Sequence, residues 1–124
     1  MTTNGSKLES IFAYQEHMVK TLGETKIFGE NRQVNSPEFL HLSFELIREV
    51  TEMVQSSLDE NKPWKPHVGG EALKQEAFEE LIDCMFYVVE LFIFLGKTPD
   101  DVYEAYMDKW RRNMRRVQDA PSPD

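Results

Sequence analysis

Cysteine is nearly absent from this 124-residue chain, because Cys84 is the only one. A single thiol cannot form a disulfide within the chain, which suits a reducing compartment and predicts a cytoplasmic protein. Cys84 lies in the most apolar segment, and a reactive thiol needs an exposed, electropositive setting. We therefore expect Cys84 to be a small core residue.

Long hydrophobic runs and positive charge are also scarce. The apolar run 84–95 is too short to span a bilayer and is interrupted by Glu90, and the N-terminus has no signal-peptide pattern. The chain has 14 basic and 22 acidic residues, a formal net charge of −8. This balance argues against a nucleic-acid polymer or an anionic membrane as partner. It does not argue against a small phosphorylated molecule, since local cations or a metal ion decide that.

What the sequence does contain is helical periodicity. Ser6 to Glu9 has a capping-box pattern, and Ser36 and Thr98 each stand as a hydroxyl cap before a proline. At 124 residues the length suits one domain rather than two. The sequence therefore predicts a single all-α domain over 1–124, an antiparallel bundle of four or five helices. The predicted helices begin near 6, 36, 72 and 98 and end near 22, 58, 95 and 118, with loose tails at 1–5 and 119–124.

Two pairs of carboxylates are the most unusual feature: Glu49 with Glu52, and Glu80 with Asp83. Residues three apart share one face of a helix, and each pair lies beside an apolar stripe instead of opposite it. Buried carboxylates are costly unless they are paired or bind a metal, and we expect no nearby base to neutralise them. An oxygen-only ligand set favours Mg²⁺, with Mn²⁺ as the alternative. The other interpretation is ordinary surface glutamates.

Further polar residues lie on otherwise apolar helix faces. Gln15 occupies a core-facing position of the first helix. It is either a buried amide satisfied by backbone or water, or an amide that reads the edge of a bound base. Lys109, Asn113 and Arg116 share one side of the last helix with apolar residues. They either meet an anion or extend their charged heads to water.

The loop between the two acidic helices, 59–70, carries two prolines and a double glycine. Its Lys62, Trp64, Lys65 and His67 could close over a nucleotide bound at the acids, since loops often carry function. Alternatively, the loop is only a connector, with Trp64 packed into the core.

The acidic pairs, Glu49-x-x-Glu52 and Glu80-x-x-Asp83 with 27 residues between them, resemble the metal signature of the all-α nucleoside triphosphate pyrophosphohydrolases. That superfamily contains the dimeric dUTPases, the MazG-type enzymes and phosphoribosyl-ATP pyrophosphohydrolase. The spacing Tyr106-x-x-Lys109-x-x-x-Asn113-x-x-Arg116 is similar to a motif of the dimeric dUTPase branch. Gln15 matches the glutamine that those enzymes use near the pyrimidine base. The resemblance covers residues 7–117.

This resemblance implies a Mg²⁺-dependent hydrolysis of a nucleoside triphosphate, dUTP or a related deoxynucleotide, to the monophosphate and pyrophosphate. The implied roles are metal binding and catalysis for Glu49, Glu52, Glu80 and Asp83, phosphate binding for Lys109, Asn113 and Arg116, and base binding for Gln15. Glu49 is the candidate base. A substrate of dCTP or a purine dNTP remains open, as does a non-catalytic helical module for protein contact. Because 84–95 is apolar nearly all round, we expect it to be buried on every side. So few short helices cannot cover it in one chain, and we therefore also expect a homodimer or a dimer of dimers.

Overall fold

The computed structural model describes residues 6–21, 33–64 and 69–119. All regular structure in these ranges is helical. The four helices are α1 (Lys7–Thr21), α2 (Pro37–Glu60), α3 (Gly70–Phe94) and α4 (Pro99–Asp119). The predicted all-α class is confirmed. The predicted tails 1–5 and 120–124 and most of the predicted loop between α1 and α2 lie outside the described residues.

Helices α1, α2 and α4 begin where the sequence predicted, because the predicted caps form. The Ser36 hydroxyl accepts the amide N–H three residues later, in the first turn of α2. Thr98 and Asp101 exchange two hydrogen bonds at the start of α4, of 2.9 and 3.1 Å, and Ser6 accepts the Glu9 amide at 3.2 Å. Such caps satisfy N–H groups that have no partner inside the helix.

All four helices end within one or two residues of the predicted positions. Helix α2 continues to Glu60, and α4 includes Asp119, which the sequence had assigned to the tail. Helix α3 begins at Gly70, directly after Gly69, whose φ of 88° lies in the left-handed region that glycine adopts without strain.

Helices α2 and α3 run antiparallel. Phe39 near the start of α2 contacts Phe94 at the end of α3, with ring centroids 5.5 Å apart. At the opposite end, the Gly69 amide donates to the Glu60 carboxylate at 3.3 Å. The middle of α2 therefore faces the middle of α3, and these are the segments that carry the two acidic pairs.

Helix α1 packs antiparallel on another side of α3. The Phe12 ring stacks on Phe92 at 6.4 Å, and Gln15 reaches Glu90 one turn away. Helix α3 is thus the element on which α1 and α2 both pack. The shared core consists of Phe12, Val19, Leu42, Val89, Ile93 and Phe94.

Much apolar surface remains uncovered in the single chain. Helix α4, described over its whole length, has no buried residue, although Val102 packs partly against the core. In α3, Met85 and Phe86 are 40% and 45% exposed, so the expectation that 84–95 is buried all round is wrong for one chain. The reason is that α1 and α2 cover only two sides of α3. None of the described helices combines the length and the apolar character needed to cross a membrane.

Candidate functional site

The antiparallel packing of α2 on α3 brings the acidic pairs together. One carboxylate oxygen from each of Glu49, Glu52 and Glu80 lies within 4.8 Å of the others, and we call these three residues the acid cluster. Asp83 is not within that distance, but it lines the same cleft as Glu49 and its charge raises the pKa of Glu49. Three of the four predicted metal ligands therefore meet, and the fourth lies beside them.

The acid cluster is electrostatically crowded. Burial raises the pKa of Glu49 from 4.5 to about 7, helped by a hydrogen bond with Glu80 and by the charges of Glu52 and Asp83. The Oε2 atom of Glu80 is buried and has no hydrogen-bond partner in the described part of the chain. Carboxyl groups this close together cannot all be ionised without a large electrostatic cost in free energy. Either a proton or a cation must therefore lie between them. Because the donors are all carboxylate oxygens, the cation that fits them is a hard divalent one.

A basic residue does stand near these acids, contrary to our expectation. Arg48 hydrogen-bonds to Glu45 and lies 3.8 Å from Glu52. The hydrogen bond with Arg48 lowers the pKa of Glu45, and Tyr87 also donates to Glu45, at 3.5 Å. The Arg48 side chain is 58% exposed, and an ion pair of that kind contributes little. Arg48 thus lies at the exposed side of the acids, and among the described residues no ion pair is formed with Glu80.

A cleft of about 510 Å³ opens beside the acid cluster, a size typical of small-ligand sites. We call it the acidic cleft, and its polar lining consists of His41, Glu45, Glu49, Asp83, Tyr87 and Glu90. Cys84 is buried next to it. Burial, and then the charge of Glu49, raises the pKa of the Cys84 thiol, so this thiol is poorly suited to act as a nucleophile. The expectation that Cys84 is a core residue is confirmed.

A second, apolar cleft adjoins the acidic one. Its volume is about 630 Å³, and we call it the apolar cleft. Met18 and Phe86 line both clefts, so the two share a wall. The remaining lining side chains that matter here are Ile11, Tyr14, Gln15, Ile82, Met85 and Val89.

Gln15 is buried, with 3% of its surface exposed, and it hydrogen-bonds to a carboxylate. Its Nε2 donates to Oε1 of Glu90 at 2.5 Å. Sequence reasoning missed Glu90 as a site residue and treated it only as an interruption of an apolar run. The signal was available, because one acid in such a run and one amide in an apolar helix face each need a buried polar partner.

The residues predicted to bind phosphate lie elsewhere in the single chain. Lys109 and Asn113 line a third cleft, of about 450 Å³, with Phe92 and Trp110. This cleft shares no lining residue with the acidic cleft, and Arg116 lines neither. All three predicted residues are exposed, so in the single chain they extend to water, and phosphate binding by them stays a prediction.

The loop between α2 and α3 is only partly described. Lys62 lies 3.3 Å from Asp59, and Trp64 is 75% exposed. The alternative in which Trp64 packs into the core is therefore wrong. Lys65 and His67 lie outside the described residues.

Comparisons with protein-family models, with curated proteins and with solved structures found no match to this chain. The function of the site must therefore be inferred from its geometry and from the motifs of the sequence.

Proposed function

We propose that this protein is a Mg²⁺-dependent nucleoside triphosphate pyrophosphohydrolase. It converts a nucleotide, dUTP or a related deoxynucleotide, to the monophosphate and pyrophosphate. The observation that carries the proposal is the acid cluster, in which three carboxylates from two helices meet and the buried Oε2 of Glu80 has no hydrogen-bond partner in the described chain. Such a set suits a hard cation, and a triphosphate needs that cation to offset its charge.

The chain's own groups would divide the chemistry as follows. Glu49, Glu52 and Glu80 hold Mg²⁺, or Mn²⁺ in its place, and Asp83 completes the set from the edge of the cleft. When bound, the metal lowers the pKa of water and neutralises phosphate charge. Glu49 would be the general base, because its carboxylate lines the acidic cleft and could take a proton from a water bound there. The water would then attack one phosphorus of the triphosphate in line with its leaving group, and the products would be the monophosphate and pyrophosphate.

The apolar cleft supplies a place for the base. It adjoins the acidic cleft through Met18 and Phe86, so a nucleotide could place its phosphates by the acids and its base among apolar side chains. Gln15 is the one buried amide in that lining. It can offer both a donor and an acceptor to a base edge.

The phosphate-binding residues would come from a second copy of the chain. Lys109, Asn113 and Arg116 line no part of the acidic cleft of their own chain, yet they lie on a helix whose apolar side is uncovered. A homodimer or a dimer of dimers would cover that side, and could bring these cations to the acids of the neighbour.

A panel of all dNTPs and NTPs tests this proposal. We expect pyrophosphate release that requires Mg²⁺ or Mn²⁺, stops with a chelator, and is fastest for dUTP. A preference for dCTP or a purine dNTP would keep the enzyme class and change the substrate. No pyrophosphate release from any nucleotide, with either metal, would refute the proposal.

A second candidate, a non-catalytic helical module, is favoured by the exposed aromatic residues of α4, among them Tyr103 and Tyr106 at 61% and 67% exposed. Exposed apolar patches of this kind mark protein contacts. Thermal melts distinguish the two candidates. Mg²⁺ with a non-hydrolysable dNTP raises the melting temperature of an enzyme and leaves that of a module unchanged.

A further inference from the structure

The Gln15–Glu90 pair lies where the two clefts meet. Gln15 lines the apolar cleft and Glu90 lines the acidic cleft. Both residues are buried, at 3% and 5% exposed, and the bond that joins them across α1 and α3 is 2.5 Å long. A polar pair placed this deep has an effect on any ligand that spans both clefts.

The chemistry of the pair fixes the direction of the amide. Gln15 faces Glu90 with Nε2, which is the end that a charged carboxylate requires, since it can only accept hydrogen bonds. A bond to a charged acceptor is about twice as strong as a neutral one. An amide without such a partner could turn over and exchange its donor for its acceptor. With Glu90 in place, the end of Gln15 left for a ligand is the carbonyl oxygen Oε1.

We propose that Glu90 is a positioning residue that fixes the Gln15 amide and thereby sets the base preference of the site. An oriented Oε1 accepts from a ring N–H, which uracil presents at its pairing edge. Cytosine presents a ring acceptor at the same place, and two acceptors cannot share a hydrogen bond. This inference rests on the proposed function, in which the base occupies the apolar cleft.

Glu90→Gln tests this role. The new side chain has the same size but can donate as readily as accept, so it holds the Gln15 amide in either direction. The measurement is kcat/KM for dUTP and for dCTP in the wild type and the variant, with Mg²⁺. We expect the dUTP-to-dCTP ratio to fall by about tenfold or more, while turnover stays dependent on Mg²⁺. A purely structural role would lower both rates or the stability without changing the ratio.

Glu79→Gln is the matched control. Glu79 lies on the same helix, is exposed, and accepts a hydrogen bond from Gln75 at the helix surface. The dUTP-to-dCTP ratio of the Glu79→Gln variant should therefore equal that of the wild type. If Glu90→Gln does not fold, as judged by circular dichroism, Glu90→Asp replaces it. The shorter side chain keeps the charge but withdraws the acceptor, and the same fall is expected.

The outcomes separate this inference from the proposed function. An active variant with an unchanged dUTP-to-dCTP ratio would overturn the role of Glu90 and leave the enzyme class intact. A wild type that prefers dCTP would overturn it as well, because a fixed Oε1 acceptor should favour the ring N–H of uracil over the ring acceptor of cytosine. A wild type that hydrolyses no nucleotide would refute the proposed function and this inference with it.

Discussion

At the scale of single residues, Glu80 is the acid whose replacement is most informative. Its Oε2 is a buried oxygen of the acid cluster without a hydrogen-bond partner in the described chain, so a bound cation would depend on it. We expect Glu80→Gln to lower Mg²⁺-dependent kcat/KM by at least about 100-fold, since even residues that only support metal ligands cost about 10- to 100-fold. The measurement is pyrophosphate release at saturating Mg²⁺.

The fold should survive this change. Glu80→Gln removes one charge from a crowded cluster, so without metal the melting temperature should stay the same or rise. Glu79→Gln, next to it but exposed, should keep wild-type activity. Mg²⁺-dependent release that persists in Glu80→Gln would show that the acid cluster is not the metal site.

The raised pKa of Glu49 predicts how the stability of the metal-free protein depends on pH. Its pKa is raised from 4.5 to about 7 in the folded chain, so between these values the folded state holds a proton that the unfolded state has released. Stability therefore falls as pH rises through this window. The contribution of the Glu49 proton to the free energy of unfolding is fully present below the window and lost above it. We expect the melting temperature to drop by a few degrees between about pH 5 and about pH 8.

Glu49→Gln isolates this contribution, because every other titrating group stays in place. Its melting temperature should change less with pH than that of the wild type. Mg²⁺ competes with the proton on Glu49, so metal affinity should rise over the same window. Parallel pH curves for wild type and variant would contradict the assignment of this pKa to Glu49.

The sequence could predict which residues share a helix face wherever the helical spacing was unambiguous. The spacing within 49–52 and 80–83 predicted which carboxylates share a face, and that placement is what the packing of α2 on α3 uses. The same i,i+3 spacing could have predicted the pairing of Arg48 with Glu45, but not the contact of Tyr87 with Glu45 or that of Glu90 with Gln15. The Gln15–Glu90 contact joins residues 75 positions apart, and only tertiary packing determines such a pair.

At the scale of the helices, the caps carry stability that can be measured. Ser36 is buried, at 5% exposed, and its hydroxyl accepts the Phe39 N–H at 3.3 Å. Ser36→Ala leaves that N–H without its acceptor, so we expect a loss of about 1 kcal/mol in the free energy of unfolding. Chemical denaturation monitored by circular dichroism measures it.

Ser57→Ala provides the comparison. Ser57 is exposed inside α2, where its hydroxyl donates to the Met53 carbonyl at 3.3 Å. Alanine is the better helix former at such a position, so this variant should be as stable as the wild type or slightly more so. Equal losses from both serines would mean that the cap of α2 has no special role.

The helices themselves were predictable because their signals are local. Ser36, Thr98 and the prolines that follow them mark helix starts by hydrogen bonding between near neighbours in sequence. Helix α3 shows the limit of this reasoning. Its apolar composition predicted burial on every side, but burial depends on how many other helices cover it, and Met85 and Phe86 remain partly exposed.

At the scale of the whole molecule, the uncovered apolar surface and the uneven distribution of charge both favour assembly with a second copy of the chain. Helix α4 carries Lys109, Arg111, Arg112, Arg115 and Arg116 in its second half, within a chain of net charge −8. No ion pair links this half of α4 to the acid cluster in the described residues. A neighbouring copy would bring opposite charges together while covering apolar surface, and complementary charges of this kind fix the register of an interface.

Trp110 provides the test of assembly. It lies 49% exposed on the same side of α4 as Tyr103, Tyr106, Met114 and Val117, and exposed aromatic residues are typical anchors of interfaces. We expect the wild type to have the mass of two or four chains in light scattering after gel filtration. Trp110→Glu buries a charge in that interface, so its mass should fall to that of one chain.

Arg115→Glu is the control, because it introduces the same carboxylate on the opposite, polar side of α4. It should keep the mass of the wild type. If assembly also completes the site, then Trp110→Glu loses nucleotide hydrolysis along with the oligomer, although none of its acids has changed. A Trp110→Glu monomer that keeps full activity would show that Lys109, Asn113 and Arg116 of a second copy are not needed. A wild type with the mass of one chain would rule out the assembly itself.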